Sequence, residues 1–268
     1  MSPLLVPARS HDGDGCLARV SPESAGWQYV GFEVQALRAG AVLHRSLESV
    51  ELCLVVLSGS GDVVATGAGW ERFWAGVGGR DSVFHGPPHA IYLPPDSTVQ
   101  LSASTDAEVA LCMAPATRGA EPALITPDVI GSFTRGSGSN EREIRNILME
   151  DRPAESLLVT EVLTPGGHWS SYPPHKHDTE DLPRESYLEE TYYHRLRRVE
   201  GWAVQRIYSR DTGLDETIVV HDGDVVLVPG GYHPVSATPG YDLYYLNVMA
   251  GPVRKWQSTL DPDLAWLA

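Results

Sequence analysis

The stretch Pro173-Pro174-His175-Lys176-His177-Asp178 places two histidines two residues apart. Successive side chains of a β-strand alternate between its faces, so His175 and His177 are expected to point the same way. Two imidazoles on one face form half of a site for a first-row metal ion, and an added carboxylate extends the choice toward Mn. A surface strand with two polar residues is the alternative, because an HxH motif alone is a weak signal.

Further metal-binding side chains follow downstream of the two histidines. Glu189-Glu190 precedes a β-prone run, and residues 223–233 are typical of a strand, a glycine-rich turn and a histidine, His233. Neighbouring strands of a barrel would bring His175, His177, one glutamate and His233 together. The two glutamates lie on opposite faces of one strand, so only one of them can join the histidines. This spacing predicts one divalent ion per chain, namely Zn, Mn, Fe or Ni.

Composition limits the fold and the partners. The chain has 268 residues, of which 42% are hydrophobic and 21% charged, enough for a buried core. The 26 glycines and 20 prolines, with few long helical patterns, predict an all-β protein. A net charge of −15 argues against nucleic-acid and anionic-membrane partners, although a local arginine cluster could still hold an acidic small molecule.

Targeting and redox signals predict a cytoplasmic protein. The sequence shows no signal peptide pattern and no 18-residue apolar run that would span a membrane. Cys16, Cys53 and Cys112 are widely spaced and form no CxxC motif, which fits thiols in a reducing compartment.

The order of turns and strands repeats within the chain. Gly40, Glu51 with its apolar strand, and residues 91–94 match Gly166-Gly167, Glu190 with its aromatic strand, and residues 226–229. The first copy has only His44 in place of HxH. We therefore predict two tandem β-barrels, with an N-terminal loop (1–28), a barrel without metal (29–116), an inter-domain crossing (117–155) and a barrel with the metal site (156–268).

The motifs around these residues resemble those of the cupin superfamily. The first cupin motif is a glycine followed by HxH and a glutamate, and the second is a glycine followed by Pro-x-Gly and a histidine. Here the second motif has one residue fewer before His233, and the interval from His177 to Glu190 is long. That interval and the residues around it resemble the 5-deoxy-glucuronate isomerase family of myo-inositol catabolism. The resemblance is dense over residues 165–266 and weaker before them, and it is carried by residues 173–178, 185–195, 205–208, 214–217, 223–234 and 240–251.

The resemblance implies a bicupin of two jelly-roll barrels and an aldose–ketose isomerisation of 5-deoxy-D-glucuronate to 5-dehydro-2-deoxy-D-gluconate. A proton would leave the carbon next to the aldehyde, and a metal would stabilise the resulting enediolate. The cupin pattern has aromatic or apolar residues directly after its glutamate, which favours Glu190 over Glu189 as the ligand. The candidate catalytic groups are then Tyr192, His194 and Glu189, although His194 is equally interpreted as a buried, hydrogen-bonded histidine.

The carboxylate of such a substrate needs a cation, and arginine is the preferred bidentate partner. The substrate-binding candidates are Lys176, Arg195 and Arg206, with Arg142 as a fourth cation. Tyr232 and Tyr245 are candidates for the pocket wall, although tyrosines in strands are more often core or rim. The acidic run 178–181 with Glu185 is interpreted as a solvated loop or as a lid.

Fold alone does not fix the activity. The alternatives are a related uronate ketol-isomerase of pectin breakdown, a metal-dependent cupin dioxygenase and a non-enzymatic sugar-binding bicupin. A sugar acid is the expected small-molecule partner. The sequence is compatible with a homo-oligomer.

Overall fold

The computed structural model describes residues 2–9, 13 and 15–267, and antiparallel strands dominate them. The N-terminal half contains eleven strands and two short helices, with these bounds: β1 Leu5–Val6, β2 Cys16–Val20, α1 Pro22–Ala25, β3 Gly31–Leu37, β4 Val42–Leu47, β5 Val50–Ser58, β6 Ser60–Gly67, β7 Trp70–Gly78, β8 Ala90–Leu93, β9 Ser97–Ala103, β10 Ala107–Pro115, β11 Ala123–Ile125 and the 3-10 turn η1 Pro127–Val129.

The C-terminal half contains the remaining fourteen strands and two 3-10 turns, with these bounds: β12 Ser132–Arg135, η2 Gly138–Asn140, β13 Arg142–Leu148, β14 Leu158–Thr164, β15 Trp169–Ser170, β16 His175–Lys176, β17 Asp178–Asp181, β18 Glu185–Tyr187, β19 Glu189–Leu196, β20 Ala203–Tyr208, β21 Asp215–Val220, β22 Val225–Val228, β23 Val235–Ala237, β24 Leu243–Ala250, β25 Thr259–Leu260 and η3 Ala265–Leu267. No helix in the described part of the chain has the length and hydropathy to cross a membrane.

Four sheets build two barrels. The first barrel pairs a six-stranded sheet, ordered β11-β8-β5-β10-β3-β2, with a four-stranded sheet, β4-β9-β6-β7. The second pairs a seven-stranded sheet, β1-β22-β19-β24-β14-β13-β12, with a four-stranded sheet, β15-β23-β20-β21. The predicted all-β bicupin is confirmed, and the turn-forming glycines and prolines that suggested it separate these strands.

The central strands of each large sheet are buried on both faces. Its inner residues fill its own barrel, as Leu52 and Leu54 do in the first and Val226 and Val228 in the second. Its outer residues meet the other large sheet in one shared core that includes Phe32 and Tyr193. Their runs are consequently apolar with little alternation, as expected for strands covered on both sides.

The segments at the barrel boundaries differ from the expectation. Residues 1–28 were expected to form a loop, but β1 pairs with β22 of the second barrel and β2 pairs with β3 of the first. Residues 117–155 were expected to connect the domains, but β11 completes the first large sheet while β12 and β13 belong to the second. The crossing is therefore confined to residues 126–131. Short strands that pair with distant residues leave little trace in local periodicity.

Strand register defines which residues of the two barrels are equivalent. Leu52 pairs with Leu93 in the first barrel, and Glu190 pairs with Val228 in the second. By this register, residues 91–94 of the first barrel are equivalent to residues 226–229 of the second, as predicted. However, Glu51 is opposite Ala114 and Glu189 opposite Ala250, so Glu51 corresponds to Glu189 and not to Glu190. A shift of one residue moves a side chain to the other face of the sheet.

The two equivalent glutamates bind the opposite barrels. The buried Glu189 carboxylate accepts hydrogen bonds from the backbone N–H groups of residues 28–30, which lead into β3. Glu51 accepts hydrogen bonds from the backbone N–H groups of residues 155–157, which lead into β14. Each carboxylate thus satisfies backbone donors that would otherwise be buried without a partner at the barrel interface.

Candidate active site

A cavity of about 520 Å³ opens on the inner face of the seven-stranded sheet. Residues at every second position of its strands line the cavity, as the alternation of a β-strand requires. These lining residues are Phe133 and Arg135 on β12, Arg142, Ile144 and Asn146 on β13, Thr160 and Val162 on β14, Tyr245, Asn247 and Met249 on β24, and Glu190 and Tyr192 on β19. The remaining lining residues are Gly136, Ser137, Asn140, Met149, residues 171–173, His175, Trp256, Ser258, Leu260 and Leu267.

Three histidines and one glutamate meet beside this cavity. One ligand atom from each of His175, His177 and His233 lies within 4.8 Å of the others. Glu190 Oε2 lies 3.0 Å from His177 Nε2 and 3.2 Å from His233 Nε2. His175 and Glu190 line the cavity, whereas His177 and His233 are almost completely buried. The structure thus brings together all four of the predicted ligands.

Backbone carbonyls orient two of the imidazoles. His177 Nδ1 lies 3.1 Å from the Leu188 carbonyl oxygen, and His233 Nδ1 lies 2.8 Å from the Gly231 carbonyl oxygen. When each Nδ1 donates its proton to the carbonyl, each Nε2 is left with a lone pair directed at the cluster. His233 Nε2 is buried and makes no hydrogen bond of good geometry to the described residues. Imidazole tautomers fixed in this way fit a metal ion.

Burial and mutual contacts set the protonation of the cluster without metal. Burial raises the pKa of Glu190, but its contacts with His177 and His233 outweigh burial and lower that pKa to about 2. Burial lowers the pKa of His177, yet the hydrogen bond with Glu190 leaves that pKa raised overall. Burial and the neighbouring imidazoles lower the pKa of His175 well below its ordinary value. The cluster therefore offers an ionised carboxylate beside a neutral His175.

A salt-bridged network holds the HxH stretch in place. Lys176 donates to Asp178 and, over 2.8 Å, to the buried Glu185. Asp178 in turn accepts a hydrogen bond of 2.7 Å from the backbone N–H of Gly231. Gly231 has φ +83°, and a Cβ there would lie 2.5 Å from the Tyr208 carbonyl oxygen, so only glycine fits. The network ties the loop before His233 to residues 176–178, where His177 lies between β16 and β17.

Two tyrosine hydroxyls belong to the cavity wall. Tyr192 and Tyr245 lie with ring centroids 4.9 Å apart. The Tyr192 hydroxyl is 2.9 Å from Ser171 Oγ, and the Tyr245 hydroxyl is hydrogen-bonded to Ser170 Oγ. Burial, followed by the charge of Glu190, raises the pKa of Tyr192 well above its ordinary value. Both phenols therefore stay protonated near neutral pH and can exchange a proton with a neighbouring oxygen.

Two predicted catalytic residues lie away from the cavity. Glu189 points to the outer face of the sheet and binds the backbone of the other barrel, as described above. His194 lies two residues beyond Tyr192, where burial lowers its pKa to about 4 and its Nε2 is 2.9 Å from Gln205 Oε1. Neither residue lines the cavity. Their predicted catalytic roles therefore find no support in the geometry of this cavity.

Four predicted substrate-binding residues also lie outside the cavity. Lys176 is held by Asp178 and Glu185, Arg195 pairs with Glu108 and Asp222, and Arg206 pairs with Asp215 on the exposed side of β20. Tyr232 packs against Tyr208 with ring centroids 5.2 Å apart. Arg254 is half-buried and donates to the backbone carbonyls of Leu157 and Met149.

Of the predicted pocket residues, Tyr192, Tyr245 and Arg142 line the cavity. The sequence reasoning missed Arg135, Ser170 and Ser171. Arg135 stands directly opposite Arg142 in the β12–β13 pair, so the two arginines share one face. The available signal was the short polar turn between two arginines at residues 135–142, which is typical of a hairpin but was interpreted as a linker.

Comparison with known proteins gives a family. Residues 4–267 match the model of the KduI/IolB family. The chain belongs to the KduI/IolB family. It is 52% identical over 269 residues to the 5-deoxy-glucuronate isomerase of Geobacillus kaustophilus, covering 100% of this chain and 96% of that protein. It is 42% identical over 272 residues to the 5-deoxy-glucuronate isomerase of Bacillus subtilis strain 168, covering 100% and 99%.

Solved structures agree with the KduI/IolB assignment and with the fold. An IolB-like protein from Salmonella typhimurium superposes with a TM-score of 0.94 at 44% identity and 98% coverage of both chains. An oxalate decarboxylase from Lactobacillus farciminis superposes with a TM-score of 0.67 at 12% identity, covering 97% of this chain and 89% of the other. At that identity the second likeness shows a shared fold alone.

Proposed function

We propose that this KduI/IolB protein is a metal-dependent aldose–ketose isomerase that converts 5-deoxy-D-glucuronate to 5-dehydro-2-deoxy-D-gluconate. The observation that carries the proposal is the group of His175, His177, Glu190 and His233 beside a cavity of about 520 Å³. Full-length relatives that share 42–52% of the sequence bear the name of this isomerase. A cavity of this size is adequate for a six-carbon sugar acid.

The donor set fits one divalent ion of the first transition row. Three neutral imidazoles and one carboxylate suit Zn, Mn, Fe or Ni, and the carbonyl contacts at two Nδ1 atoms support the required tautomers. When bound, the ion would supply a fixed positive charge that acidifies the carbon next to the carbonyl and stabilises negative charge on the enediolate. Removal of the proton from the carbon next to the carbonyl then requires no change in the oxidation state of the ion.

The cavity wall supplies the groups that move protons. Isomerisation moves a carbon-bound proton from C2 to C1 and a hydroxyl proton from O2 to O1, so no atom is gained or lost. The phenols of Tyr172, Tyr192 and Tyr245 and the Glu190 carboxylate are the acidic groups on the described wall. We assign the oxygen-to-oxygen proton to Tyr192, whose hydroxyl is hydrogen-bonded to Ser171 Oγ at 2.9 Å. The rings of Tyr245 and His233 pack against the Tyr192 ring and hold it at the cavity wall.

The test follows the fate of the carbon-bound hydrogen in heavy water. Purified protein of measured metal content is incubated with 5-deoxy-D-glucuronate in D₂O, and proton NMR follows loss of the aldehyde signal. We expect up to one deuterium atom per turnover at the former aldehyde carbon and no uptake of oxygen. A product entirely without deuterium would point to hydride transfer, and a strict need for oxygen would replace the isomerase by a dioxygenase.

Two further outcomes distinguish the remaining alternatives. Turnover of the 4-deoxy uronate of pectin breakdown in place of 5-deoxy-glucuronate would assign the other isomerase activity of this fold. Tight binding of both sugars with no change in either would assign a carbohydrate-binding protein. We also propose a cytoplasmic location, because Cys53 and Cys112 are buried thiols, as suits a reducing compartment.

A further inference from the structure

Arg135 and Arg142 form a pair of like charges on the cavity wall. They are direct partners in the antiparallel β12–β13 pair, where opposite Cβ atoms lie about 5 Å apart. Both side chains line the cavity beside the metal-binding group. Like charges directly opposite each other destabilise a strand pair unless an anion lies between them. The hairpin therefore holds a repulsion that a bound anion would relieve.

No protein carboxylate neutralises either arginine in the described part of the chain. Every other predicted cation was found in a salt bridge, whereas Arg142 donates only through Nη1, to the backbone carbonyls of Asn140 at 3.0 Å and Tyr172 at 3.2 Å. These two contacts fix the guanidinium and leave its Nε–Nη2 edge for another acceptor. Glu143, the acidic neighbour on β13, lies on the opposite face and pairs with Arg145.

Burial makes Arg142 a stronger anion site than an exposed arginine. Only 7% of its surface is exposed, and desolvation lowers its pKa from the ordinary value. Gly136 packs against it, because a Cβ at that residue, which has φ +83°, would lie 2.9 Å from Arg142 Nη1. A fixed and partly desolvated guanidinium gains more from a bidentate carboxylate than a mobile surface one does.

We propose that Arg142 and Arg135 form the subsite for the substrate carboxylate and make the isomerase selective for sugar acids over neutral sugars. Arg142 binds the carboxylate with its free edge, and Arg135 adds the second positive charge from the exposed turn of the hairpin. The assignment deepens the proposed function and rests on it for the identity of the sugar. The remaining atoms of the acid then extend toward His175 and Glu190 in the same cavity.

Binding measurements test this subsite independently of turnover. D-Glucuronate and D-glucose are titrated calorimetrically into metal-loaded protein, and metal content is measured for every variant. We expect wild type to bind glucuronate at least about tenfold more tightly than glucose, as charge-assisted hydrogen bonds provide. Arg142→Met and Arg135→Gln should remove most of this preference while leaving the metal content and the affinity for glucose unchanged.

The kinetic arm uses 5-deoxy-glucuronate. Arg135→Gln should raise KM by about tenfold and Arg142→Met by about 100-fold or more, both with a smaller change in kcat. Arg72 is a matched control, since it is an exposed arginine with no salt bridge among the described residues and lies on β7 of the other barrel. Arg72→Gln should match wild type in both arms.

The two proposals fail in different ways. If glucuronate preference survives both Arg135→Gln and Arg142→Met, the carboxylate subsite is overturned even when turnover is intact. If wild type shows the preference and both variants lose it, but wild type does not isomerise 5-deoxy-glucuronate, the proposed function fails and the subsite stands. Arg135 is exposed, so its variant remains informative should Arg142→Met fold poorly.

Discussion

Glu190, Tyr192 and Asn247 occupy the inner face of the second barrel where Leu52, Leu54 and Leu111 occupy that of the first. The backbones at these positions have the same strand pairing, so the difference lies in the side chains alone. In the first barrel the leucines join a continuous apolar core. In the second the polar residues surround a cavity. One barrel thus uses its interior for stability and the other uses it for chemistry.

The arginines at the barrel mouths show the same contrast. In the first barrel Arg19 and Arg45 both pair with Glu33. Burial raises the pKa of Glu33, but hydrogen bonds from Gln35, Arg45 and Arg19 together outweigh burial and lower it. In the second barrel Arg135 and Arg142 pair with no carboxylate of the described chain. A salt bridge completed within the protein leaves no charge for a ligand, whereas two unpaired arginines leave an anion site.

The metal group should give the largest difference between the barrels. His177→Ala removes one of four ligands, so we expect metal affinity to fall by more than about 100-fold and turnover to be lost. His44, an exposed histidine of β4 in the first barrel, is the control, and His44→Ala should keep full metal content. Elemental analysis and the NMR assay measure both. Stoichiometric metal with full activity in His177→Ala would show that the ligand assignment is wrong.

The phenol of Tyr192 should give the next largest effect. Tyr192→Phe makes this position apolar, like Leu54 of the first barrel, and should lower kcat by about 100-fold with metal retained. Ser171→Ala, which removes only the partner of that hydroxyl, should have a smaller effect of about tenfold. Tyr187→Phe, outside the cavity, is the control. An unchanged kcat in Tyr192→Phe would remove this residue from the proton transfer.

The equivalent glutamates Glu51 and Glu189 should behave alike. Each accepts several backbone N–H groups from the opposite barrel, so Glu51→Gln and Glu189→Gln should each lower the free energy of unfolding by about 2 kcal/mol. Chemical denaturation measures the change, and metal content should stay at one ion per chain. If Glu189→Gln lost activity without losing stability, Glu189 would have a catalytic role after all.

Glu155 should give the smallest effect, and one that depends on pH. Backbone N–H groups of residues 117–119 lower its pKa to about 2, whereas the equivalent residue before β3 is the uncharged Gln28. A lowered pKa stabilises the fold above the ordinary value of 4.5 and loses that contribution as pH falls toward 2. The Tm difference between wild type and Glu155→Gln should therefore be larger at pH 7 than at pH 3. Equal differences at both pH values would contradict this.

The sequence was sufficient for features that depend on local spacing. HxH and the glycine-rich turn before His233 lie within short runs, so their residue types and alternation predicted the barrel class and the four clustered side chains. Glu189 and Glu190 are adjacent, and the sequence comparison matched Glu51 with Glu190. That match assigns Glu51 to the inner face of its sheet, and strand register shows that Glu51 corresponds to Glu189 on the outer face.

The carboxylate subsite depended on partners far apart in sequence. Arg195 was a reasonable cation until the fold brought it to Glu108, 87 residues away. Arg206 was likewise bound by Asp215. Whether an arginine is free for a ligand depends on every acid that the fold brings to it, and residue type alone carries no such information.

The pairing of β1 with β22 has a consequence for how the chain is made. Leu5 and Val6 align with Val226 and Val225, so the edge of the seven-stranded sheet needs residues translated about 220 positions apart. During synthesis this early segment must wait, unpaired, until nearly the whole polypeptide has left the ribosome. Once in place it covers an edge that could otherwise pair with another molecule. A gene cut between the barrels would therefore leave the second product with a seven-stranded sheet that lacks β1, and the first product with a β1 that has no partner strand.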